Sequence, residues 1–422
     1  MTTSTMTRGT LSVQQETTQL NGHGRDPIWQ RFALPGSVSM EELRRRVERM
    51  TAREPGLRTV AVDRTGVTYA DLVQAPIISV PSADPQDRDR LFRAALDDDW
   101  EAAGPLWRLV VFTPTKGAPT EALLVIDHLI ADVVTAALIA REIRTGQEPE
   151  ASRGGGRFEE WARRQRSEFD PRNHDAAAEA RSFWTEALGG TSPRRATALP
   201  AIRDAVPGSG ANTVAVSIHV PIDPATIVSV ARKARTTPFM LAMASFAATI
   251  AAATDTDDMS FAVVHHGRGP AHAAVYGWLA TVAPVRIVQA GLSDLSTALT
   301  AVRKAWGRIL GRLDTPWEYI TGVCAGTGEL DWGPVGHRQF LINYFTEPVA
   351  GITPEHYRDQ HPEFPRGMRW LELQLIPLDS GGHMFRFLCN SDDLDPESVR
   401  ELLQLLADGY THHVDLIQGE LR

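Results

Sequence analysis

The sequence predicts an α/β protein, because strand-length and helix-length apolar patterns alternate in both halves of the chain. β-Branched apolar runs of strand length occupy residues 107–112 and 122–126, and a helical period follows over 131–143. In the second half, a nearly all-apolar helix at 239–253 precedes a strand at 260–264. This mixture is typical of α/β or α+β folds, and 422 residues suffice for two or three domains with sizeable cores.

The remaining elements follow from the same periodicities, in order along the chain. Helices are predicted at 40–50, 88–100, 158–169, just before Gly189, at 295–313 and at 397–412; strands are predicted at 57–62, 339–345, 371–376 and 384–388. The first ten residues are expected to form a disordered tail. Three glycines at 154–156 predict a flexible break, and the proline-containing stretch 191–212 is predicted to be a linker.

Composition and charge argue against several classes of protein. The chain has 43 Lys and Arg against 52 Asp and Glu, and its net charge of −9 disfavours nucleic-acid binding. No apolar run reaches the length of about 18 residues that spans a bilayer, and the polar N-terminus does not resemble a signal peptide. Two cysteines, Cys324 and Cys389, are too few for a disulfide framework. We therefore expect a soluble, cytoplasmic protein that contacts neither membrane nor nucleic acid.

One stretch combines a predicted buried strand with polar residues at its end. Asp127 and His128 follow the apolar residues 123–126, and Asp132 comes at the start of the next predicted helix. Strand ends often border clefts, and an imidazole titrates near neutrality, so His128 is a candidate general base. A carboxylate in the first turn of a helix is favoured by the helix dipole. These residues alone leave two interpretations open: a catalytic histidine, or a core histidine followed by a helix cap.

The same stretch resembles the His-His-x-x-x-Asp-Gly signature of condensation domains of nonribosomal peptide synthesis. Those domains belong to the superfamily of chloramphenicol-acetyltransferase-like acyltransferases. Here the sequence is Asp127-His128-Leu129-Ile130-Ala131-Asp132-Val133. Other segments resemble further motifs of the family in the same order: 11–15 (Leu-Ser-Val-Gln-Gln), 53–59 (Arg-Glu-Pro-Gly-Leu-Arg-Thr), 158–162 (Phe-Glu-Glu-Trp-Ala), 183–188, 263–268, 277–282 (Gly-Trp-Leu-Ala-Thr-Val) and 314–318 (Asp-Thr-Pro-Trp-Glu). The resemblance covers nearly the whole chain.

This resemblance implies a particular architecture. Two chloramphenicol-acetyltransferase-like α/β sandwich lobes would form a V-shaped pseudo-dimer with the active site between them. The N-terminal lobe would span 11–175 and carry the motif, and the C-terminal lobe would span 176–422. One tunnel would admit the donor on a phosphopantetheine arm, and another would admit the acceptor.

The resemblance also implies roles for individual residues. His128 matches the catalytic second histidine, and Asp132 matches a structural aspartate that pairs with an arginine from the other lobe, here Arg268. Such pairing suits a buried carboxylate, which needs a partner to stay ionised. Asp127 replaces the first histidine, whose expected role is to orient the loop.

Four further residues are candidates to line the cleft. Val133 replaces the motif glycine and adds bulk beside His128, and Trp278 occupies an aromatic position whose default role is core packing. His265 and His266 end the predicted strand at 260–264. Together with His128 they would be a conceivable metal site, but strand alternation, which turns one to the core and one to the cleft, is the preferred explanation. We expect no metal.

The function implied by the resemblance is that of a free-standing condensation-type acyltransferase of antibiotic or other natural-product biosynthesis. It would join an acyl or aminoacyl thioester on a carrier protein to a small-molecule or carrier-bound amine or hydroxyl, as a monomer without a bound cofactor. Coenzyme A is the alternative donor; Asp331-Trp332-Gly333 is only a fragment of the Asp-Phe-Gly-Trp-Gly motif of acyl-CoA-dependent members. A catalytically inactive recruitment protein of the same fold is the other alternative.

Overall fold

The structure is a computed structural model, and it describes most of the chain. The described residues are 6–20, 27–71, 76–81, 88, 90–91, 94–96, 98–100, 104–114, 117–149, 157–169, 174–189, 197–203, 213–324, 339–346, 370–378, 380–390 and 394–419. The three glycines at 154–156, the Asp331-Trp332-Gly333 fragment and most of the predicted linker lie outside these residues.

Helices and strands alternate along the described chain, which confirms the predicted α/β class. The helices are α1 (Val13–Leu20), α2 (Met40–Arg53), α3 (Val133–Thr145), α4 (Phe158–Phe169), α5 (His174–Ala187), α6 (Pro224–Lys233), α7 (Pro238–Thr254), α8 (Leu295–Ile309), α9 (Trp317–Cys324) and α10 (Pro396–Gly419). The strands are β1 (Met6–Gly9), β2 (Pro27–Ala33), β3 (Thr59–Asp63), β4 (Gly66–Ala70), β5 (Ile77–Pro81), β6 (Trp107–Thr113), β7 (Glu121–Asp127), β8 (Thr213–Val220), β9 (Asp258–His265), β10 (Thr281–Val288), β11 (Gln339–Tyr344), β12 (Trp370–Pro377) and β13 (His383–Asn390).

The chain divides into two compact units. The first consists of Met1–Ala176 and His266–Thr281, and the second of Ala177–His265 and Val282–Arg422. The sequence predicts one boundary between residues 175 and 176. The observed division differs in the short segment His266–Thr281, which follows β9 in sequence but belongs to the first unit because its hydrogen bonds and apolar contacts are made there.

A four-stranded sheet positions the motif in the first unit. Its order is β2-β7-β6-β5, with β7 antiparallel to both neighbours and β5 parallel to β6. Residues 122–127 of β7 are buried, as expected for a central strand with a continuous apolar run. Asp127 pairs with Pro27 at the start of β2, so His128 follows directly after the end of the ladder.

α3 begins where the turn after β7 ends. Its N-cap is Asp132, whose side chain accepts a hydrogen bond from the Thr135 amide, and its C-cap is Gly146 in a left-handed conformation (φ 71°). The buried face of α3, which includes Ile139 and Ile143, packs in one core with apolar residues of β6 and β7. Strand, turn and helix therefore pack together around the motif.

The second unit is built on a six-stranded sheet in the order β10-β9-β11-β12-β13-β8. β11 is parallel to β9 and β12, whereas β13 is antiparallel to β12 and β8. α7 is buried continuously from Leu241 to Ala251, as its nearly all-apolar sequence predicts. Among the described residues no single helix is long and apolar enough to span a membrane, and only the pair α6–α7, bent by 80°, reaches that length and composition.

Some predicted elements are wrong in detail. The tail predicted to be disordered contains β1, which pairs with β4 from Met6↔Ala70 to Gly9↔Val67. A strand is predicted at 57–62, but β3 begins only at Thr59. The residues before it, Pro55–Arg58, form a 3₁₀ turn that starts at a proline. Pairing with a strand some 60 residues away is a tertiary contact, and local polarity does not report it.

Candidate active site

His128 lies in the turn that joins β7 to α3. Its side chain is half-buried, and among the described residues its Nδ1 is buried and accepts or donates no hydrogen bond. The ring of Trp278 packs against the imidazole, with 4.4 Å between ring centroids and 52° between planes.

Asp127 is a buried residue whose carboxylate holds the backbone of this turn. Its Oδ1 accepts from the Leu129 amide at 3.0 Å, and its Oδ2 accepts from Trp100 Nε1 at 2.8 Å. Its side chain is 3% exposed. An aspartate that bonds an amide two residues ahead forms an Asx turn. Asp127 thus stabilises the loop that presents His128.

Asp132 and Arg268 form a buried, bidentate ion pair. Arg268 Nη1 lies 2.6 Å from Asp132 Oδ2, and Arg268 Nη2 lies 2.8 Å from Asp132 Oδ1. The same carboxylate accepts from the amides of Thr135 at 2.8 Å, Leu279 at 2.9 Å and Ala280 at 3.0 Å. Five donors satisfy one carboxylate, which is the condition for keeping a buried charge.

The predicted pair therefore forms, but both partners belong to the first unit rather than to different lobes. Arg268 lies in the segment His266–Thr281, which groups with that unit. Its guanidinium also donates to the Thr135 hydroxyl at 2.8 Å and to the carbonyl of His266 at 3.0 Å. Thr135 in turn donates to the Gly277 carbonyl at 2.7 Å and accepts from the Gly277 amide at 3.1 Å. This network fixes the segment on the N-terminal end of α3.

Two glycines let the segment approach closely. Gly267 has a φ of 66°, and a Cβ there would lie 1.9 Å from the Leu279 carbonyl oxygen. A Cβ on Gly277 would lie 2.1 Å from the Phe158 ring. Gly267 also has a left-handed conformation that favours glycine, whereas at Gly277 the close approach of the ring alone excludes a side chain. Both glycines fall within the motif-like segments of the sequence.

A second buried network anchors the other part of the segment. Tyr276 donates to Glu142 Oε2 at 2.6 Å, and Arg53 donates to both oxygens of Glu142 at 2.8 and 2.7 Å. Burial, and next the hydrogen bond to Glu142, raise the pKa of Tyr276 far above its usual value. Val275 and Leu279 pack against Trp161 in a small apolar cluster.

The two neighbouring histidines have different environments. His265 is the last residue of β9 and belongs to the second unit, whereas His266 belongs to the first. The Arg268 amide donates to His266 Nδ1 at 3.0 Å. Partial burial, and then the charge of Arg268, lower the pKa of His266, although Asp132 opposes this. No group of three or more His, Cys, Asp or Glu side chains suited to a metal ion occurs within the described part of the chain.

With this geometry in place, comparison with protein families identifies the group to which the chain belongs. The model of the condensation domain matches residues 30–360. This chain is a member of the condensation-domain family. The resemblance drawn from the motifs is thereby confirmed, and family membership supports a condensation-type function related to nonribosomal peptide synthesis.

Solved structures share the fold of this condensation-domain protein at low sequence identity. SgcC5 from Streptomyces globisporus, in complex with (R)-(-)-1-(2-naphthyl)-1,2-ethanediol and sucrose, matches with a TM-score of 0.68 and 19% identity over 96% of this chain and 98% of that chain. The X-domain of teicoplanin biosynthesis, in complex with OxyB, matches with a TM-score of 0.64 and 17% identity over 97% and 93%. The epimerization domain from the third module of tyrocidine synthetase B matches with a TM-score of 0.73 and 14% identity over 99% and 98%. No curated protein matches in sequence.

The motif valine of this condensation-domain protein is not part of the core. Val133 is the first residue of α3, and its side chain is 44% exposed. An apolar side chain that remains accessible directly after the Asp132 cap is available to contact a bound molecule. Whether it narrows a cleft beside His128 stays a prediction.

Sequence reasoning missed several residues that hold the site together. Thr135, Glu142 and Tyr276 join α3 to the segment His266–Thr281, yet none of them carries a signal of its own in the sequence. In the structure Glu142 lies on the buried face of α3, where a carboxylate requires a partner. The identity of that partner follows only from the tertiary structure.

Proposed function

We propose that the chain transfers an acyl or aminoacyl group from a carrier-protein thioester to an amine or hydroxyl acceptor, forming an amide or ester in natural-product biosynthesis. Membership in the condensation-domain family supports this class of reaction. The observation that carries the proposal is the geometry of His128: a half-buried imidazole at the end of a buried strand, with Nδ1 enclosed and the following turn fixed by Asp127.

In the proposed reaction His128 Nε2 accepts a proton from the acceptor as its nitrogen or oxygen attacks the thioester carbonyl carbon. A carbon–nitrogen or carbon–oxygen bond forms, the tetrahedral intermediate collapses, and the carbon–sulfur bond breaks. The proton held on His128 then passes to the departing pantetheine thiolate. A positioned acid–base group of this kind contributes about 10²–10⁴-fold in rate. Positioning of the two substrates would supply much of the rest.

Asp132 and Arg268 have a structural role in this proposal. The Asp132 carboxylate accepts from Arg268 and from backbone amides of α3 and of the segment His266–Thr281, so its oxygens are engaged in holding these two parts together. The carboxylate is thus committed to charge-assisted hydrogen bonds that hold the backbone. His128 is therefore the residue to which proton transfer is assigned.

The proposed donor is carried on phosphopantetheine, which is a substrate arm and not a resident cofactor. The proposed partners are a separate acyl or peptidyl carrier protein and a small-molecule or carrier-bound acceptor, with the chain acting in trans as a cytoplasmic monomer. An aryl diol accompanies SgcC5 in its structure, which keeps hydroxyl acceptors beside amines in the set to be tested. Coenzyme A thioesters are the alternative donor.

The test is an intact-mass assay of acyl release from a loaded carrier. Candidate carrier proteins bearing acyl or aminoacyl groups are incubated with acceptors and with either the wild-type chain or His128→Ala. Transfer by the wild type, but not by the variant, supports the proposal. Transfer from acyl-coenzyme A with none from any carrier would overturn the carrier-protein donor, and equal transfer by both proteins would remove His128 from the mechanism.

A second function, recruitment of another protein, has observations in its favour. Asp127 and Val133 depart from the family motif, and the X-domain with the same fold was solved in complex with OxyB. Under this proposal the chain binds another protein of the same biosynthesis and does no chemistry itself. Absence of transfer from every loaded carrier, together with saturable binding of a partner, would favour recruitment over catalysis.

A further inference from the structure

The backbone that follows His128 is held from two sides. The Leu129 amide donates to Asp127 Oδ1 at 3.0 Å, and the Leu129 carbonyl accepts from Gln15 Nε2 at 2.6 Å. The Ile130 amide completes the turn by donating to the Asp127 carbonyl at 3.0 Å. Both peptide planes that succeed the histidine therefore have fixed orientations. One of these contacts comes from a residue more than a hundred positions earlier.

Gln15 is itself fixed before it reaches the turn. Ser12 and Gln15 form a reciprocal capping box at the start of α1: the Gln15 amide donates to Ser12 Oγ at 3.2 Å, and the Ser12 amide donates to Gln15 Oε1 at 3.0 Å. Both residues are buried, with 0% and 1% exposure. Because Oε1 accepts from Ser12, the amide nitrogen of Gln15 is the end that faces Leu129.

The helix that carries Gln15 is bound to the rest of the first unit by other contacts. The Val13 amide donates to Gln165 Oε1 at 3.1 Å, and Arg166 Nε donates to the Leu11 carbonyl at 2.6 Å. Arg166 also pairs with Glu16. α1 is therefore held by α4 whether or not Gln15 contacts the turn, which makes the two roles of the helix separable by experiment.

We propose that Gln15 is a positioning residue for His128, acting through the Leu129 peptide; this inference rests on the proposed role of His128 as the base. Without the Gln15 donor, the partly buried Leu129 carbonyl would lose this hydrogen bond. The peptide plane would then rotate toward another donor, and rotation of that plane displaces the preceding residues of the turn. A misplacement of about 1 Å at the reacting group can cost about 10²-fold in rate.

The experiment compares two buried glutamines that both bond to the backbone in this region. Gln15→Met removes the donor to Leu129 and also the acceptor of the Ser12 amide, whereas Gln165→Met removes the bond to the Val13 amide and leaves the turn untouched. Three properties are measured for each: kcat and KM in the transfer assay, hydrogen–deuterium exchange of the Leu129 and Ile130 amides, and the rate of carbethoxylation of His128 by diethyl pyrocarbonate, read by peptide mass spectrometry.

For Gln15→Met we expect kcat to fall by about 10- to 100-fold with little change in KM, faster exchange at Leu129 and Ile130, and an altered carbethoxylation rate at His128. Gln165→Met is expected to leave exchange and carbethoxylation in the turn at wild-type values. Gln15→Glu is the second variant, should Gln15→Met not fold. It retains an acceptor for the Ser12 amide but presents a carboxylate oxygen to the Leu129 carbonyl, so the same changes are expected.

Wild-type exchange and carbethoxylation in a folded Gln15 variant would overturn the proposal, as would equal losses in Gln165→Met. These two readouts need no substrate, so they remain decisive if the proposed function fails. If His128→Ala keeps full transfer activity while Gln15→Met still loosens the turn, the proposed chemistry is wrong but the positioning contact stands.

Discussion

Both terminal nitrogens of Arg268, Nη1 and Nη2, donate to the two carboxylate oxygens of Asp132, at 2.6 and 2.8 Å. Each of the two side chains is only 3% exposed. Asp132 is at the same time the N-cap of α3. One carboxylate thus begins the helix that follows the catalytic candidate His128 and fastens the segment His266–Thr281 to it. The ion pair links α3 to this segment within the first unit. Substitutions that remove it are therefore expected to lower the stability of the fold rather than to act on the chemical step alone.

Removing either partner of this pair should destabilise the protein. Asp132→Ala and Arg268→Ala each leave a buried group unpaired, and each is expected to lower the free energy of unfolding by roughly 3–5 kcal/mol. Asp132→Ala should be the worse of the two, because the amides of Thr135, Leu279 and Ala280 also lose their acceptor. The double variant should lose less than the sum of the single losses. Urea unfolding of the wild type, the two single variants and the double variant measures the four free energies of unfolding.

An Asp132→Asn variant is the control, since it retains a cap acceptor for the Thr135 amide but loses the charge. We expect the free energy of unfolding of Asp132→Asn to lie between that of the wild type and that of Asp132→Ala. Additive effects of the two alanine substitutions, or two single variants as stable as the parent, would contradict the ion pair.

His128 should be essential for turnover and dispensable for folding. His128→Ala removes the proposed base and is expected to lower kcat at least about 10²-fold. The ring is half-buried and makes no hydrogen bond among the described residues, so its removal costs mainly the contact with Trp278. His272→Ala, a half-buried histidine in the same unit, is the matched control and should keep full activity. Near-normal turnover in His128→Ala would rule out the proposed mechanism.

Val133 should influence which acceptors are used more than it influences stability. The side chain is 44% exposed at the first position of α3, so Val133→Gly is expected to cost less than about 1 kcal/mol. If the valine restricts space beside His128, the glycine variant should accept larger acceptors. Product profiles over a series of acceptors of increasing size measure this. Identical profiles for the two proteins would show that the valine does not contact substrate.

Stability at alkaline pH should depend on Tyr276. Burial and the hydrogen bond to Glu142 raise the pKa of Tyr276 in the folded state, whereas an unfolded tyrosine ionises near pH 10. The contribution of Tyr276 to the free energy of unfolding is therefore fully present below about pH 10. It is lost as the pH rises above that value, by roughly 1.4 kcal/mol per pH unit. Tyr276→Phe should lose about 1 kcal/mol at pH 7, from the missing hydrogen bond, but show a shallower alkaline decline.

Urea midpoints of the two proteins between pH 8 and pH 11 measure that difference. Other titrating groups are common to both proteins, so their contributions cancel in the comparison. Parallel curves for the wild type and Tyr276→Phe would mean that the hydroxyl ionises as freely in the folded state as in the unfolded one.

Much of the local structure could be predicted from sequence, because it depends on residues that are close together in the chain. The continuous apolar run of β7, the helical period of α3 and the nearly all-apolar sequence of α7 each predict which of their residues are buried. The sequence does not indicate β1, because this strand is only four residues long and mostly exposed, and its partner β4 lies about 60 residues away. α1 was likewise recognised only as a motif, although its Ser12 and Gln15 match the spacing of a capping box.

The sequence by itself determined the α/β class, the strand–turn–helix around His128 and the need of Asp132 for a positive partner. These depend on hydrophobic period and on the cost of burying a charge, and both are properties of the residues concerned. The family resemblance had named Arg268 as that partner, but only the tertiary structure decided that the pair lies inside the first unit and that Gln15 reaches Leu129. Such contacts join residues more than a hundred positions apart, and packing selects them among many chemically equivalent partners.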